Sequence, residues 1–175
     1  LPEFRKIRSE NQDFVKLCLN ENLSSEITVQ PLRRFDMDAA IIFSDILLVP
    51  FALGQTVKFK KDFGPLLGEI DFNKMLNLNE IQFTDKLKPV YNAIKKTKNK
   101  EELKNKDLIG FVGAPWTILI YMLNQKSPKN EDIDYKLKDG KFIDDLLKII
   151  VRFLKVHINN QIESGATIIQ IFDSW

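Results

Sequence analysis

The class of fold is indicated most clearly by DLIGFVGAPWTILIYMLN, residues 107–124. Its first half is an apolar run that ends in glycine and proline, a pattern typical of a buried strand leading into a tight turn. Its second half, WTILIYMLN, is predicted to be the helix or loop that follows the strand. A strand followed by such a segment indicates one unit of a parallel α/β sheet.

The same alternation extends to both sides of this stretch. Upstream, AAIIFSDILLV (residues 39–49) has the continuous apolar character of a parallel strand covered on both faces. Downstream, apolar residues at helical spacing predict a long helix over about residues 141–163, with Gly165 as its C′ residue. The segment ATIIQIFDSW (residues 166–175) then predicts another strand. This order of elements favours a parallel sheet with its chemistry at the carboxyl ends of the strands.

Helices are predicted before the first strand. Ser9 and Gln12 have the spacing of a capping box, which predicts a helix over about residues 10–19. A second helix is predicted to begin near Asn20 or Asn22, with Pro31 kinking or dividing it.

Two further segments separate the first strand from the central one. Short alternating pieces between residues 50 and 84 favour a hairpin or an excursion over a strand end. A helix is then predicted at DKLKPVYNAIKKTKN, residues 85–99.

Composition bounds the class of protein. The 175 residues are 44% hydrophobic and carry a net charge of +2, values typical of one globular domain spanning residues 1–175. Positive and negative side chains largely cancel, so neither nucleic acid nor an acidic membrane surface is a predicted partner. The basic clusters KFKK (58–61) and KKTKNK (95–100) are predicted to face solvent. No apolar run approaches the roughly 20 residues of a membrane helix, which favours a cytoplasmic protein.

No metal, nucleotide or cofactor site is predicted. His157 lacks a Cys, Asp or Glu at helical metal-site spacing and is predicted to be a surface or boundary residue. Cys18, the single cysteine, is predicted to be a buried apolar side chain in a helix. The sequence contains neither of the common glycine-rich phosphate-binding motifs.

Asp45 is the unusual residue, because it lies inside an apolar run where an ionised carboxylate is costly unless donors or a cation meet it. Strand alternation predicts that Ile41, Phe43 and Asp45 share one face. A purely structural carboxylate satisfied by backbone N–H groups remains the alternative. Tyr121 and Ser174 follow the other two strands and can be pocket groups, or simply a boundary aromatic and an ordinary hydroxyl.

Four segments together resemble the uroporphyrinogen decarboxylase family: LPEFR, LSSEITVQPLRRFDMDAAIIFSDILLVPFALG, LIGFVGAPWTILIYM and GATIIQIFDSW. They occur in the family's order, over the whole chain. The resemblance implies an α/β fold, a partial (β/α)₈ TIM barrel comprising roughly its N-terminal half, with about three of eight strands. It also implies a homodimeric, cofactor-independent decarboxylase (a lyase) of haem and porphyrin biosynthesis.

In this family the reaction removes CO₂ from the four acetate groups of uroporphyrinogen III and gives coproporphyrinogen III. The resemblance implies that Asp45 accepts hydrogen bonds from the pyrrole N–H groups and stabilises the cationic ring formed on protonation. It implies that Tyr121 and Ser174 bind substrate carboxylates. The aromatic residues matched to the cleft are Phe14, Phe43 and Phe172.

The chain also departs from the family pattern. An arginine-containing stretch, which holds candidates for the proton donor, precedes the position of Leu1, and a cleft histidine follows that of Trp175. We therefore expect an N- and C-terminally truncated fragment that is inactive alone. Two alternatives stay open: a corrinoid-linked zinc methyltransferase of the same superfamily, and a non-catalytic porphyrinogen-binding fragment.

Overall fold

The computed structural model describes residues 1–127 and 139–174. In chain order the elements are α1 (Pro2–Glu10), α2 (Phe14–Cys18), α3 (Glu21–Val29), β1 (Ala39–Ile41), α4 (Leu48–Ala52), β2 (Val57–Lys60), β3 (Gly64–Leu67), α5 (Phe72–Leu76), α6 (Glu80–Lys98), a 3₁₀ turn (Glu101–Leu103), β4 (Asp107–Gly113), α7 (Pro115–Asn124), α8 (Gly140–Glu163) and β5 (Ile168–Phe172).

The main sheet is parallel and has the strand order β1-β4-β5. Ala39 pairs with Asp107 on one side of β4, and Ile109 pairs with Ile168 on the other. The predicted parallel α/β arrangement is therefore confirmed. Because all three strands run the same way, the segments that follow them emerge at one edge of the sheet.

A two-stranded antiparallel hairpin, β2–β3, lies apart from the main sheet, as the sequence predicts. Its far end is fixed to the end of α7, because the Leu67 N–H donates to the Gln125 carbonyl at 2.7 Å. The side-chain amide of the buried Gln55 donates to the carbonyls of Gly68 (2.8 Å) and Met122 (3.0 Å). These contacts hold the hairpin against the body of the protein.

Helices α6 and α8 pack together and supply much of the core. The rings of Phe83 and Phe153 lie with centroids 4.7 Å apart between them, and both side chains are fully buried. Helix α6 begins earlier than predicted, at a capping box formed by Asn79 and Gln82. It also accommodates Pro89 in its interior. Among the described residues, no helix is long and apolar enough to cross a membrane.

The predicted start of α3 and the prediction for α8 are confirmed, but residues 30–34 form turns rather than a helix kinked or divided at Pro31. The Asn20 side chain accepts the N–H groups of Asn22 and Leu23 and so caps α3, which ends before Pro31. Helix α8 ends at Glu163, and Gly165 has the left-handed φ of 114° typical of a C′ glycine.

The prediction of a capping box at Ser9 is wrong. Ser9 lies in the last turn of α1, where its hydroxyl donates to the Lys6 carbonyl at 2.7 Å. The true cap of the following helix is Asp13, whose carboxylate accepts the Lys16 N–H at 3.1 Å. Sequence spacing alone could not show whether Ser9 or Asp13 caps the helix, because the side chain of each residue offers an oxygen near a helix boundary.

The prediction of one strand over residues 39–49 is wrong in its second half. Strand β1 ends at Ile41, and the apolar run continues as the short buried helix α4. Asp45 therefore lies in the turn between the two elements, and the strand alternation proposed for Ile41, Phe43 and Asp45 does not apply to it. A short apolar run cannot reveal whether a strand or a buried helix is present, because both are covered on all sides.

Candidate active site

Asp45 lies in the turn after β1 with its carboxylate largely withdrawn from solvent. Its Oδ1 accepts the Leu47 backbone N–H at 2.8 Å. Burial raises the pKa of this carboxyl from 3.8 to about 6, against the lowering effect of that hydrogen bond. One backbone donor does not compensate the desolvation, so the carboxylate favours further N–H donors or a cation from a ligand.

The turn is brought beside the end of the central strand by Gly113. A Cβ at this position would lie 2.7 Å from Cδ1 of Ile118 and 3.3 Å from Cβ of Ile46. Only glycine therefore permits this close approach without a shift of its neighbours. The Asp45 turn and the beginning of α7 are consequently packed against the same strand end.

An open cavity of about 1510 Å³ extends over Asp45. One part of its wall is α1 and the start of α2, and another part is the turn of the β2–β3 hairpin. The lining residues are Phe4, Arg5, Arg8, Ser9, Gln12, Phe14, Asp45, Phe59, Lys60, Lys61, Asp62 and Gly64. Of the predicted site residues, the cavity contains Asp45 and Phe14.

Four cationic side chains line the cavity that sequence reasoning did not assign to the site: Arg5 and Arg8 on α1, and Lys60 and Lys61 on the hairpin. The signal for the arginines was present, because an i, i+3 spacing places two side chains on one helical face. The KFKK cluster is exposed, as predicted, but two of its lysines lie at the cavity wall.

Arg8 is held in place by its own surroundings. Its Nη1 donates to the carbonyls of Asn11 (2.6 Å) and Gln12 (2.8 Å), just past the end of α1. Its guanidinium also lies 5.5 Å from the centroid of the Phe14 ring. The rest of the guanidinium edge can still donate to a ligand carboxylate, since arginine carries five N–H donors.

Aromatic rings connect the walls of the cavity. Phe14 contacts Phe59 edge-on, with centroids 4.6 Å apart, and Phe43 with centroids 5.8 Å apart. The backbone of Phe43 is fixed by α3, because its N–H donates to the Thr28 hydroxyl and its carbonyl accepts from the Ser24 hydroxyl. Phe43 therefore lies behind Phe14, next to the cavity.

Phe43 and Phe172 line a smaller neighbouring cavity of about 360 Å³. There the ring of Phe172 meets Phe111 edge-on, with centroids 5.5 Å apart. Phe43 is thus the aromatic residue between the two cavities. Phe14 and Phe43 are therefore in contact beside the Asp45 cavity, whereas Phe172 lies in the neighbouring cavity.

The structure places Tyr121 and Ser174 in a separate cluster around α7, and neither is among the residues that line the Asp45 cavity. The Ser174 N–H donates to the Thr117 hydroxyl oxygen at 2.9 Å, and that hydroxyl donates to Asp173 Oδ1 at 3.2 Å. Tyr121 follows Thr117 by one helical turn on the same face of α7. The fully buried Thr117 therefore ties the end of β5 to the helix that carries Tyr121.

The prediction that His157 is a surface or boundary residue is wrong. The ring is buried between α6 and α8, and its Nδ1 lies 3.0 Å from the Tyr91 hydroxyl. Burial lowers the pKa of His157 from 6.5 to about 4, so at neutral pH the ring is uncharged and shares one hydrogen bond with the Tyr91 hydroxyl. His157 lies on the buried face of α8, together with Phe153 and Leu154. The sequence pattern did not reveal this burial, because histidine is a polar residue type.

Cys18 is buried as predicted, and its burial raises the thiol pKa, with a further upward contribution from Asp45. The thiol is therefore protonated and inert. Among the described residues, no group of three or more His, Cys, Asp or Glu side chains is arranged to hold a metal ion.

Comparison with known proteins identifies the family of this chain. The family model described as uroporphyrinogen decarboxylase (URO-D) matches residues 1–175. The uroporphyrinogen decarboxylases of Rickettsia bellii and Rickettsia massiliae are 41% and 40% identical to this chain over its full length. The chain spans about half the length of these curated relatives, 52% and 51% respectively.

A solved structure shares the fold. The methyltransferase from Methanosarcina mazei superposes with a TM-score of 0.70 at 17% identity, and the match covers 89% of this chain and 46% of the other. The three parallel strands with their helical crossovers are those of a partial (β/α)₈ barrel, as predicted. Because the family model matches residues 1–175 throughout, the chain belongs to the uroporphyrinogen decarboxylase family.

Proposed function

We propose that this chain, as one domain over residues 1–175, forms the substrate-cradling half of a uroporphyrinogen decarboxylase. The complete enzyme removes CO₂ from the four acetate groups of uroporphyrinogen III and gives coproporphyrinogen III. The cavity carries the proposal, because it has one under-compensated carboxylate in its wall and cationic side chains from both α1 and the hairpin. A macrocycle with N–H donors at its centre and carboxylates at its periphery has the complementary pattern.

Asp45 has two roles in this proposal. Its carboxylate accepts the converging pyrrole N–H groups, each such bond to a charged group being worth about 1.5 to 3 kcal/mol. It also stabilises the ring cation that forms when a proton adds to the ring carbon beside the acetate. The electron pair of the breaking bond to CO₂ then neutralises that cation. Removing one preorganised charge of this kind typically costs about 3 to 4 kcal/mol of transition-state stabilisation.

The peripheral carboxylates require separate donors. Arg5 and Arg8 can each present a planar fork to an acetate or propionate group. Tyr121 and Ser174 supply hydroxyl donors from the α7 cluster. Phe14, Phe43 and Phe172 offer apolar edges to the faces of the macrocycle. The cleft therefore binds the ligand's centre and its rim by different chemistry.

We further propose that the complete enzyme works as a homodimer in the cytoplasm and needs no metal or organic cofactor. The 175-residue chain is expected to bind the porphyrinogen without decarboxylating it, because a (β/α)₈ barrel needs about 250 residues. Its β5 strand is largely exposed along its length, which is consistent with a missing neighbour.

The test is a chimera in which this chain replaces the matching half of the Rickettsia bellii relative. We expect anaerobic conversion of uroporphyrinogen to products with fewer carboxylates, and loss of most turnover in the Asp45→Asn chimera. A folded chimera that releases no CO₂ would refute the proposed reaction. Near-normal turnover of the Asp45→Asn chimera would refute the role of Asp45.

The two alternatives predict different results. For a corrinoid-linked zinc methyltransferase, the complete protein would contain zinc. A non-catalytic porphyrinogen-binding protein would bind the macrocycle but release no CO₂.

A further inference from the structure

We infer that the turn of the β2–β3 hairpin distinguishes tetrapyrroles by their number of carboxylates. Lys60 and Lys61 bind the peripheral carboxylates and so favour the more highly carboxylated ligand. The inference rests on the proposed function and adds a specificity-determining element to it. Both lysines line the cavity over Asp45.

The turn that carries the lysines is tight and has a defined shape. Lys60 pairs with Gly64 at the last rung of the hairpin, and the Phe63 N–H donates to the Lys60 carbonyl at 3.1 Å. Asp62 and Gly64 have positive φ values of 67° and 81°, in the left-handed region that such a turn requires. Lys61 therefore projects from a fixed point of the turn.

The hairpin itself is anchored at both ends. Near the cavity, Phe59 packs against Phe14 at the start of α2. At the far end, Gln55 and Leu67 bond to backbone groups at the end of α7. A cationic turn held in this way loses little conformational freedom on binding, which increases its contribution to affinity.

The charges around the cavity match a ligand with anionic groups on its rim. Arg5 and Arg8 on α1 and Lys60 and Lys61 on the hairpin all line the cavity, and Asp62 on the turn is the carboxylate nearest in sequence to the lysines. Lys60 Nζ also lies 4.6 Å from the centroid of the exposed Phe63 ring. A macrocycle whose N–H groups reach Asp45 has its side chains directed at these walls.

The hairpin also provides a matched control. Lys58 precedes Lys60 by two residues on β2 and is also exposed, but it is not among the cavity-lining residues. Replacing Lys58 by Gln removes one positive charge from the same strand, whereas the Lys60→Gln, Lys61→Gln double variant removes two. A general effect of net charge on binding would therefore appear in both, more weakly in Lys58→Gln, whereas a specific contact appears only at Lys60 and Lys61.

The experiment measures anaerobic binding of two probes to the 175-residue chain: uroporphyrinogen, with eight carboxylates, and coproporphyrinogen, with four. In the Lys60→Gln, Lys61→Gln double variant we expect Kd for uroporphyrinogen to rise about tenfold, the combined effect of two partly screened ion pairs. We expect a smaller rise for coproporphyrinogen and a weaker dependence of Kd on salt concentration. Lys58→Gln should leave both Kd values unchanged.

Circular dichroism and the single variant Lys61→Glu keep the test interpretable. A folded double variant that binds like Lys58→Gln, or that loses affinity equally for both probes, overturns the role of the hairpin and leaves the proposed function intact. A wild-type chain that binds neither probe overturns the proposed function and the inference together. Lys61→Glu is expected to weaken uroporphyrinogen binding more than the single change Lys60→Gln or the single change Lys61→Gln.

Discussion

Replacement of Asp45 by Asn is expected to make the protein more stable and less active at the same time. The pKa of Asp45 in the folded chain is about 6, against 3.8 for an ordinary aspartate, and burial is the cause. Because the folded pKa is raised, this group favours the folded state fully below pH 3.8, and that contribution is lost as pH rises through 6. At pH 7.5 the ionised carboxylate therefore destabilises the fold relative to a neutral one.

The magnitude follows from the shift. One pKa unit corresponds to about 1.4 kcal/mol, so a shift of about two units makes Asp45 cost about 3 kcal/mol at pH 7.5. Asparagine has nearly the same shape, and its Oδ1 can still accept the Leu47 N–H. The Asp45→Asn variant should therefore gain about 3 kcal/mol in the free energy of unfolding at pH 7.5, and almost nothing at pH 4.

Urea denaturation followed by circular dichroism at both pH values measures this difference. The exposed Asp85→Asn change in α6 is the control for removing one negative charge. Equal effects of Asp45→Asn at pH 7.5 and pH 4, or destabilisation at pH 7.5, would refute the reasoning and show a carboxylate satisfied within the fold. In the chimera, the same change should lower turnover by about 10²- to 10³-fold, the usual loss for one preorganised group.

Three other changes test the surroundings of the site. His157 has a pKa of about 4 in the folded chain and 6.5 in the unfolded chain, so the stability that its neutral ring contributes above pH 6.5 is lost as the pH falls through 4. The His157→Gln variant should therefore show a smaller decrease in the free energy of unfolding between pH 7 and pH 4. Urea titration over this pH range measures the difference. Thr117→Val should raise KM in the chimera by freeing Ser174, with kcat less affected, whereas Thr117→Ser restores KM; equal KM values for the two variants would contradict this positioning role. Gly113→Ala should destabilise the chain by about 1 to 3 kcal/mol through overpacking against Ile118, and Ile118→Val should restore part of that loss in thermal unfolding.

The opposite signs of the Asp45 and His157 shifts have a consequence for acid stability. Between pH 6 and pH 4 the folded chain gains stability as Asp45 takes up its proton, and loses it as the unfolded state protonates His157. The two contributions are similar in size and largely cancel. We therefore expect a steeper acid loss in Asp45→Asn than in the wild-type chain, which the same urea titrations reveal.

Elements defined by local patterns could be predicted from the sequence. Strands β4 and β5, helix α8 with Gly165, and the cap of α3 at Asn20 each depend on neighbouring residues alone. The identity of Asp45 as an unusual carboxylate also followed from its apolar neighbours. A periodic pattern or a cap is readable because the interactions that fix it are a few residues apart.

The alternation of strands and helices along the sequence predicted the parallel sheet, and four sequence segments identified the family. The three-dimensional fold was needed to show that β1 stops at Ile41, that His157 is enclosed by two helices, and that Lys60 and Arg8 line one cavity. The physical reason is that burial and convergence depend on which segments the crossovers bring together. Residues more than 50 positions apart form the walls of this site, and no local pattern encodes the distance between them.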